Sequence, residues 1–419
     1  MNPSPAALEG IRVLEICTTI AGPACGRLLA DFGADVIKIE PPDGDPVRQM
    51  GCHVGDVALY AASILRGKRS IAIDLKTPEG LALAQALVAQ VDVVLENNRP
   101  GVLERMGLGY DAVSKTRPEI IYARISGYGQ DGPYAQLPGY GAICEAFGGV
   151  RHMTGDPDRP PSRVALATTD YLSSVYAAFG ILAALRHRDR TGQGQVVDVA
   201  LYETAFSQME SVVPAHDKLG TVPMRQGPNL PSMAPNSLYP TRGGGYILIA
   251  ANSNATYDRL TRAMQRPDLL TDPRYATIRS RGLPDNMRSL DAIVAEWASG
   301  FDGAELEHLL QEAGVPASRV FDIADIFADP HYEARNMLPR VPHPVLGEVR
   351  QIGTVPRLSA TPGRIRHSGP DLGADTVAVL RDELALDASA IERLVDAGVV
   401  RVATAATNTN IKEKHATES

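Results

Sequence analysis

Residues 11–40 read IRVLEICTTIAGPACGRLLADFGADVIKIE, and this stretch decides the fold class of the chain. Two apolar runs rich in valine and isoleucine, 11–17 and 34–40, predict β-strands. Between them, residues 24–32 predict a helix that ends at Gly33, since glycine tolerates the left-handed conformation there. A strand–helix–strand unit of this length predicts parallel strands of a doubly wound α/β sheet, with helices on its faces.

The first turn of this unit lacks the glycine pattern of a dinucleotide site. Glu40 ends the second strand, where dinucleotide-binding folds keep an acid for the ribose. However, residues 18–26 read TTIAGPACG, so the closely spaced glycines that admit a pyrophosphate are missing. We therefore expect no nicotinamide, no flavin and no other tightly bound cofactor.

Polar, glycine-bearing loops follow further predicted strands in the segments 66–75, 91–96 and 120–125. In open α/β sheets, the carboxyl ends of the strands form the edge where ligands bind. Cations at such positions favour a phosphate-bearing ligand, because guanidinium and ammonium groups bind phosphate strongly. The basic residues near these strands are Lys68, Arg69, Lys76, Arg99 and Arg105.

Residues 162–201 predict a polar turn, a helix, a glycine turn and a strand. Asp170 follows two threonines near the helix N-cap, where a carboxylate accepts backbone N–H bonds and meets the positive end of the dipole. The helix is apolar around its circumference, so we expect it to be buried. Asp170 is then either a structural cap or a catalytic carboxylate in a partly dry cleft. Apolar residues recur every three or four positions on one face of this helix: Leu172, Val175, Tyr176, Phe179, Leu182 and Ala183.

Other familiar catalytic patterns are absent from the sequence. Residues 187–189 read His-Arg-Asp but lack the flanking residues of a kinase loop, and residues 126–129 do not form a G-x-S-x-G elbow. The nine histidines show neither HxxxH nor HExxH spacing, so we expect no metal site. A carboxylate is therefore the leading candidate for a nucleophile.

Composition argues against several classes of function. The 419 residues carry 41 Lys+Arg against 49 Asp+Glu, a net charge of −8, without the basic stripe that nucleic acids or anionic membranes require. The first residues lack the pattern of a secretory signal, and the longest apolar run is too short to span a bilayer. The four cysteines show no CxxC spacing. We expect a cytoplasmic protein without nucleic-acid or membrane partners.

As a set, the motifs resemble the class III CoA-transferases, also called the CaiB/BaiF or formyl-CoA transferase family. The resemblance covers roughly residues 8–400 in the family order. The matching segments are LEGIRVLEICTTIAGPACGRLLADFGADVIKIEPPDGDPVR, RGKRSIAIDLKTPEG, VVLENNRPGVLERMGLGYD, ISGYGQDGPY, PGYGAICEAFGGVRHMTG, TTDYLSSVYAAFGILAALRHRDRTGQGQVVDVALYE and IERLVDAGVV.

The resemblance implies a Rossmann-like, CoA-binding large domain with a parallel sheet, a smaller α+β domain and a homodimer whose subunits are interlocked like chain links. The proline-rich segment 214–240 is consistent with a linker into the smaller domain. The predicted plan is a discontinuous large domain at 1–205 and 340–400, linkers at 206–225 and 331–339, the small domain at 226–330 and a disordered tail at 401–419.

Asp170 falls on the nucleophilic aspartate of this family. The resemblance implies that Asp170 passes through an acyl anhydride and an aspartyl-CoA thioester, so that coenzyme A and acyl-CoA are substrates. Asn98 falls on a position that varies in the family, and Ile20 stands where the oxalate-using branch has glutamine. The implied CoA contacts are Ile73, Lys76, Asn97, Asn98, Arg105, Pro138, Gly139 and Tyr140.

The lack of a glycine-rich loop narrows the choice of acyl donor and acceptor acid. Residues 227–235 read GPNLPSMAP and lack the tetraglycine of formyl-CoA transferases, which argues against formyl-CoA and oxalate. We expect succinyl-CoA as the donor and a dicarboxylic acid as the acceptor, with a carnitine-like acceptor left open. The second carboxylate would need a cation, and the candidates are Arg124, Arg151, His152 and Arg163.

Three other functions remain as alternatives at this point, one of them an acyl-CoA lyase or hydratase on the same fold. An α-methylacyl-CoA racemase would share the fold, but it pairs the aspartate with a histidine, and Tyr140 stands at that position. A non-catalytic CoA-binding protein would not need the carboxylate of Asp170.

Overall fold

The structure, a computed structural model, describes residues 5–403, so most of the predicted tail lies outside the described residues. The strands are β1 Arg12–Ile16, β2 Asp35–Glu40, β3 His53–Val54, β4 Val57–Ala58, β5 Arg69–Ile73, β6 Val93–Glu96, β7 Ile121–Ser126, β8 Gln195–Ala200, β9 Asn236–Pro240, β10 Tyr246–Ala250, β11 Ala317–Arg319, β12 Arg340–His343, β13 Gly347–Arg350 and β14 Val400–Arg401.

The helices are α1 Ala21–Asp31, α2 Leu59–Ile64, α3 Pro78–Val88, α4 Val102–Arg105, α5 Tyr110–Val113, α6 Gly141–Phe147, α7 Val150–Met153, α8 Thr168–Thr191, α9 Leu201–Phe206, α10 Val212–Leu219, α11 Asn254–Ala263, α12 Ile278–Arg281, α13 Pro284–Ala298, α14 Gly303–Glu312, α15 Ile323–Ala328, α16 Pro330–Ala334, α17 Thr376–Asp382 and α18 Ala388–Asp396. Short 3₁₀ turns lie at Pro46–Gln49, Ser207–Met209 and Pro267–Leu270. None of the helices within residues 5–403 has the length and apolar character needed to cross a membrane.

A seven-stranded sheet forms the larger of two compact units, in the order β14-β5-β2-β1-β6-β7-β8. All neighbouring strands are parallel except β14, which runs antiparallel to β5. The predicted α/β class with a large parallel sheet is confirmed. Its first helix begins at Ala21, three positions earlier than the sequence predicted, because Pro23 is tolerated in a first turn, where its missing N–H costs no hydrogen bond.

Alternate residues of the central strands feed two separate cores. On β1, Leu14 joins the core that includes side chains of α3, α17 and α18. Val13 joins the opposite core, which includes side chains of α1 and α8. This alternation is the two-residue period of a strand buried on both faces, and it places α1 and α8 side by side.

Helix α8 is buried on one face within a single chain, whereas its apolar circumference predicted burial all round. Its buried residues are Thr169, Ser173, Ser174, Ala177, Ile181, Ala184 and Leu185. Phe179 is instead 70% exposed and Val175 52% exposed within a single chain. The reason is close packing: the Ser174 hydroxyl donates to the Ala21 carbonyl at 2.6 Å, and a Cβ on Gly180 would come within 2.5 Å of Val197. Small residues permit these approaches, whereas Val175, Tyr176, Phe179 and Leu182 face outward.

The smaller unit takes residues 149–163 and 210–332. It holds the antiparallel sheet β11-β10-β9 and a core to which α11, α13 and α14 contribute. The sequence prediction kept 149–163 in the large domain. Arg225 explains the difference, because its guanidinium donates at 3.2 Å to three carbonyls of that segment. These are the carbonyls of His152, Asp156 and Arg159. The predicted linker 206–225 also contains α10.

Candidate active site

A cavity of about 170 Å³ opens at the carboxyl ends of β1, β6 and β7 in the large unit. Its walls are residues 18–21 after β1, 97–100 after β6 and 125–127 at the end of β7, together with the loop residues 137–140. Asp170, from the start of α8, completes the lining with Ala135 and Leu201. The ligand-binding edge expected for an open α/β sheet is therefore the place where the candidate nucleophile lies.

Asp170 is the third residue of α8 and is half-buried. The N-cap is Ala167, which offers no side-chain cap, so the carboxylate lies inside the first turn and within the positive end of the helix dipole. The backbone of Gly141 passes directly against it: a Cβ at that position would come within 2.1 Å of Asp170 Oδ2. Only glycine fits at position 141 without displacing the carboxylate.

The charge of Asp170 perturbs two neighbouring groups. Burial, with Asp170 as a second cause, raises the pKa of the Cys144 thiol to about 11. The Cys144 thiol donates to the Gly127 carbonyl at 3.2 Å. Burial also raises the pKa of Tyr60, helped by its hydrogen bond with Tyr171 and by Asp170. Cys144 is thus a neutral thiol at physiological pH and not a competing nucleophile.

The two asparagines after β6 build the cavity wall. Asn97 accepts from the Thr18 amide at 2.9 Å and donates to the Thr18 carbonyl at 2.8 Å. The Asn98 side chain donates to the Ile16 carbonyl at 3.1 Å, and its own amide donates to Glu96 at 2.7 Å. These bonds join the loop after β6 to the loop after β1, while each amide keeps one N–H and some acceptor capacity for a ligand.

The predicted CoA contacts fall into two groups. The residues that line the cavity with Asp170 are Asn97, Asn98, Pro138, Gly139 and Tyr140. Ile73, Lys76 and Arg105 are not among the lining residues: Ile73 is fully buried in the core, and the other two are exposed on loops after β5 and in α4. Their role as CoA contacts stays a prediction.

Arg124, one of the cations suggested for a second carboxylate, is already engaged by other groups. Its guanidinium donates to Glu96 at 2.9 Å and to Glu104 at 2.5 Å, and these carboxylates outweigh burial and raise the pKa of Arg124. Arg151, His152 and Arg163 belong to the smaller unit. Within the cavity lining, the basic side chain is Arg99, which the sequence showed as a strand-end cation but did not single out.

Two other cations from the sequence analysis lie at the wrong end of their strand. Lys68 and Arg69 stand at the amino end of β5. Lys68 is fully buried against Glu15, and Arg69 pairs with Asp35 and Glu383. They are therefore not part of the ligand-binding edge. Among residues 5–403, no group of three or more His, Cys, Asp or Glu side chains is arranged to hold a metal ion.

Comparison with known proteins places this geometry in a family. The profile of CoA-transferase family III matches residues 8–376. The chain is 45% identical over 384 residues to succinyl-CoA–D-citramalate CoA-transferase of Chloroflexus aurantiacus, with 91% of this chain and 95% of that protein covered. It is 37% identical over 391 residues to the alpha subunit of succinyl-CoA–L-malate CoA-transferase of the same species, with 92% and 91% covered. A solved CAIB/BAIF family protein from Brucella suis superposes with a TM-score of 0.79 at 34% identity, covering 91% of this chain and 100% of that one.

Proposed function

Because the chain belongs to CoA-transferase family III, and is therefore a CoA-transferase, we propose that it moves CoA from succinyl-CoA to a small dicarboxylic acid through intermediates on Asp170. The observation that carries the proposal is the 45% identity to a transferase whose name joins succinyl-CoA with D-citramalate. The L-malate transferase supports the same substrate class, since malate and citramalate are both hydroxy-dicarboxylates.

The first half of the reaction loads the enzyme with CoA. A carboxylate oxygen of Asp170 attacks the thioester carbon of succinyl-CoA, the C–S bond breaks, and CoA leaves as a thiolate from a mixed anhydride. The thiolate then attacks the aspartyl carbonyl of that anhydride. Succinate departs, and Asp170 carries CoA as a thioester.

The second half unloads CoA onto the acceptor. A carboxylate of the acceptor attacks the aspartyl thioester and expels the thiolate, which forms a second mixed anhydride. The thiolate attacks the acyl carbon of the acceptor, and Asp170 leaves as a free carboxylate. Atoms and charge balance without any other reactant, because each step exchanges one activated acyl group for another.

The surroundings of Asp170 suit these intermediates. Helix α1 begins at Ala21, a residue of the cavity wall, and the first amides of a helix have no acceptor within it. Such amides, and those of the first turn of α8, can stabilise the oxyanion formed at each attack, where losing one donor typically costs about 3 kcal/mol. The half-buried carboxylate also limits access of water, which would hydrolyse the anhydrides.

Binding of CoA and of the dicarboxylate needs cations and hydrogen-bond donors. We assign CoA to the edge of the cavity formed by Asn97, Asn98 and the segment 138–140, with Lys76 and Arg105 reaching its phosphates. Arg99 is our candidate for pairing with the second carboxylate of the acid. A guanidinium binds a carboxylate through two parallel hydrogen bonds. An acceptor acid without a second carboxylate could not form this pair of bonds.

We further propose that the active protein is the interlocked homodimer that the resemblance implies. In support, the exposed face of α8 carries large apolar side chains that a single chain leaves open to water, namely Val175, Tyr176, Phe179 and Leu182. Contiguous apolar surface of this kind marks protein–protein contacts. Size-exclusion chromatography with light scattering tests the dimer, and a monomer at assay concentration would contradict it.

Mass spectrometry of CoA esters tests the transfer itself. The purified protein is incubated with succinyl-CoA and a panel of acids: D-citramalate, L-malate, mesaconate, carnitine and acetate. We expect new CoA esters of the dicarboxylates and little of the others. Hydroxylamine added with succinyl-CoA should convert the aspartyl thioester to a hydroxamate, a mass change located at the peptide of Asp170.

Two substitutions complete this test. Asp170→Ala should abolish transfer, and Asp170→Asn should reduce it severely, with the fold unchanged by circular dichroism. Asp189→Ala, a change of an exposed aspartate on the same helix, is the matched control and should transfer CoA normally. Full activity of the purified Asp170 variants, or epimerisation of an α-methylacyl-CoA without transfer, would sink the proposal.

A further inference from the structure

A chain of buried charges lies beneath the cavity, and none of the transfer steps uses it. Glu15, on β1, forms ion pairs with two lysines: Lys38 at 3.1 Å and Lys68 at 2.6 Å. Lys38 also pairs with Asp45 at 2.8 Å. Each of the four side chains is at most 1% exposed. We refer to Glu15, Lys38, Asp45 and Lys68 as the buried charge network.

Three members of the network also bond the backbone of residues 17–23. Lys38 donates to the Cys17 carbonyl at 2.7 Å, and Lys68 donates to the Pro23 carbonyl at 2.7 Å. Asp45 accepts from the Thr19 amide at 2.9 Å. The network thus holds both ends and the middle of a segment, and residues 18–21 within that segment line the cavity.

Thr19, in the middle of this segment, has a strained backbone conformation. Thr19 has a φ of +70°, in the left-handed region that β-branched residues rarely adopt. A conformation of this kind persists only where surrounding contacts impose it. The bond from its own amide to Asp45 is one such contact, and the bonds of Thr18 with Asn97 fix the preceding residue.

Helix α1 rests directly on the same network. A Cβ on Gly26 would come within 1.9 Å of Glu15 Oε2, and a Cβ on Gly22 within 2.3 Å of Cys17 Sγ. Because neither glycine has a Cβ, the helix approaches Glu15 and Cys17 more closely than any other residue at these positions would allow. Glu15 thus packs against the second turn of α1, at Gly26, and Cys17 packs against its first turn, at Gly22.

Stability alone gives no reason for such a network. Apolar side chains of similar volume often replace a buried ion cluster without loss of stability, because the desolvation of buried charges offsets much of the attraction between them. Glu15 and Asp45 nevertheless outweigh the burial of Lys38 and raise its pKa, so this lysine stays charged. What apolar residues could not supply is the set of bonds to residues 17, 19 and 23.

We infer that the buried charge network positions the first turn of α1 opposite Asp170. It fixes the amides at residues 20–22 where the acyl oxyanion develops, and it keeps the wall at 18–21 closed to water. Glu15, Lys38, Asp45 and Lys68 are thus positioning residues, which touch no substrate. The inference rests on the proposed transfer function, because it assigns the network to the same site.

Asp45→Asn is the principal test, and Asp31→Asn is its matched control. Asp31 is also a buried aspartate, 3% exposed, and pairs with Arg66 at 2.6 Å, but it lies at the opposite end of α1. Each substitution removes one buried negative charge and keeps the shape of the side chain. A general loss of stability would therefore be shared, whereas a loss of positioning would be confined to Asp45→Asn.

Three measurements separate the two variants. Hydrogen exchange in the peptide spanning 17–24 should become at least about tenfold faster in Asp45→Asn only. The kcat for transfer from succinyl-CoA should fall at least about tenfold, with KM within about threefold, as expected for an interaction made in the transition state. The ratio of succinyl-CoA hydrolysis to transfer should rise, because water reaches the anhydride.

Thr19 provides a second test that leaves every charge in place. Thr19→Gly relaxes the left-handed backbone and should keep or raise the thermal stability, yet lower kcat and raise the hydrolysis ratio. Thr19→Asn also removes the threonine side chain, but asparagine tolerates the left-handed region while restricting the loop more than glycine does. Thr19→Asn should therefore keep a kcat and a hydrolysis ratio closer to those of the parent enzyme. If Asp45→Asn does not fold, the comparison of Thr19→Gly with Thr19→Asn tests the inference in its place.

The inference is overturned if Asp45→Asn matches Asp31→Asn in kcat and in the hydrolysis ratio, or if Thr19→Gly matches Thr19→Asn. If the parent protein moves no CoA from any donor, the proposed function fails instead. Hydrogen exchange at 17–24 then still decides whether the network holds the first turn of α1.

Discussion

Both ends of helix α1 carry buried ion pairs, but the two sets of charges bond different kinds of backbone. At the Ala21 end, the buried charge network bonds a strained loop that faces a cavity and a carboxylate. At the Asp31 end, Arg66 pairs with Asp31 and donates to the Ile352 carbonyl at 2.5 Å, while the Asp31 carbonyl accepts from the Arg364 amide.

The difference lies in what the charges hold. At the Asp31 end they join the C-terminal segment of the large unit to α1, and none of the residues joined there, Asp31, Ile352 and Arg364, has a positive φ or lines the active-site cavity. At the Ala21 end they hold a backbone conformation that would otherwise relax. A buried ion pair is therefore informative about function when the backbone it bonds is strained and borders a site.

The largest expected effect is on stability at the Asp31 end. Asp31→Asn leaves the buried guanidinium of Arg66 with neutral partners alone, the new side-chain amide and the Ile352 carbonyl, which should lower the free energy of unfolding by about 3 kcal/mol. Urea denaturation measures this loss. The kcat of the folded fraction at 25 °C should be unchanged, and a tenfold loss of kcat would erase the distinction between the two ends.

The pH dependence of stability tests the Ala21 end. Burial alone would raise the pKa of Glu40, but two hydrogen bonds from Arg48 outweigh it and lower the pKa to about 2. Glu40 also accepts from the Asp45 amide at 3.1 Å. Because the folded pKa lies below the unfolded one, this stabilisation is complete above about pH 4.5 and is lost as the pH falls toward 2.

The shift corresponds to roughly 3 kcal/mol at neutral pH. Glu40→Gln should remove that contribution, so the parent and the variant should converge in stability between pH 4.5 and 2. Acid titration of the urea midpoint measures it. A constant gap between the two proteins over that range would contradict the assignment of the pKa shift to Glu40.

Gly26→Ala tests how closely α1 rests on Glu15. The added methyl would lie 1.9 Å from Glu15 Oε2, so we expect a loss of stability of about 2 kcal/mol from the displaced carboxylate or helix. Gly300→Ala, where the nearest atom would be 3.3 Å away, is the control and should change stability little. Equal stability of the two variants would show that α1 can shift freely.

The smallest expected effect concerns the substrate rather than the fold. Arg99→Gln should raise the KM for a dicarboxylate acceptor about tenfold, the loss of one charge-assisted pair, and leave the melting temperature unchanged. A monocarboxylate acceptor, however slow, should be affected much less. An equal change for both classes of acid would place Arg99 with CoA and not with the second carboxylate.

Several elements of the fold follow directly from sequence patterns. The apolar runs 11–17 and 34–40, with a helix between them, predicted parallel strands, and both are present in the central sheet. The prediction that α8 is buried all round was wrong for a single chain, because Val175 and Phe179 stay exposed. The buried face carries serines, alanines, Ile181 and Leu185, and the missing side chain of Gly180 allows Val197 to approach the helix.

The site itself was only partly visible in the sequence. Family motifs pointed to Asp170 and to the loops at 97–98 and 138–140, which the structure brings together at one cavity. Lys68 was taken for a cation at a ligand-binding edge, but it is buried against Glu15. A signal for the network did exist: Glu15 and Lys38 each stand inside an apolar strand, where an unpaired charge would be very costly.

The sequence by itself determined the α/β class and the family, and it pointed to Asp170 as the candidate nucleophile, because strand patterns and ordered motifs are properties of neighbouring residues. Only the tertiary structure decided which loops meet at Asp170, which face of α8 stays open within one chain, and that Asp45, one of four buried charges in a network, bonds the amide of the strained Thr19. These depend on contacts between residues far apart in the chain, and such contacts exist only once the sheet has formed.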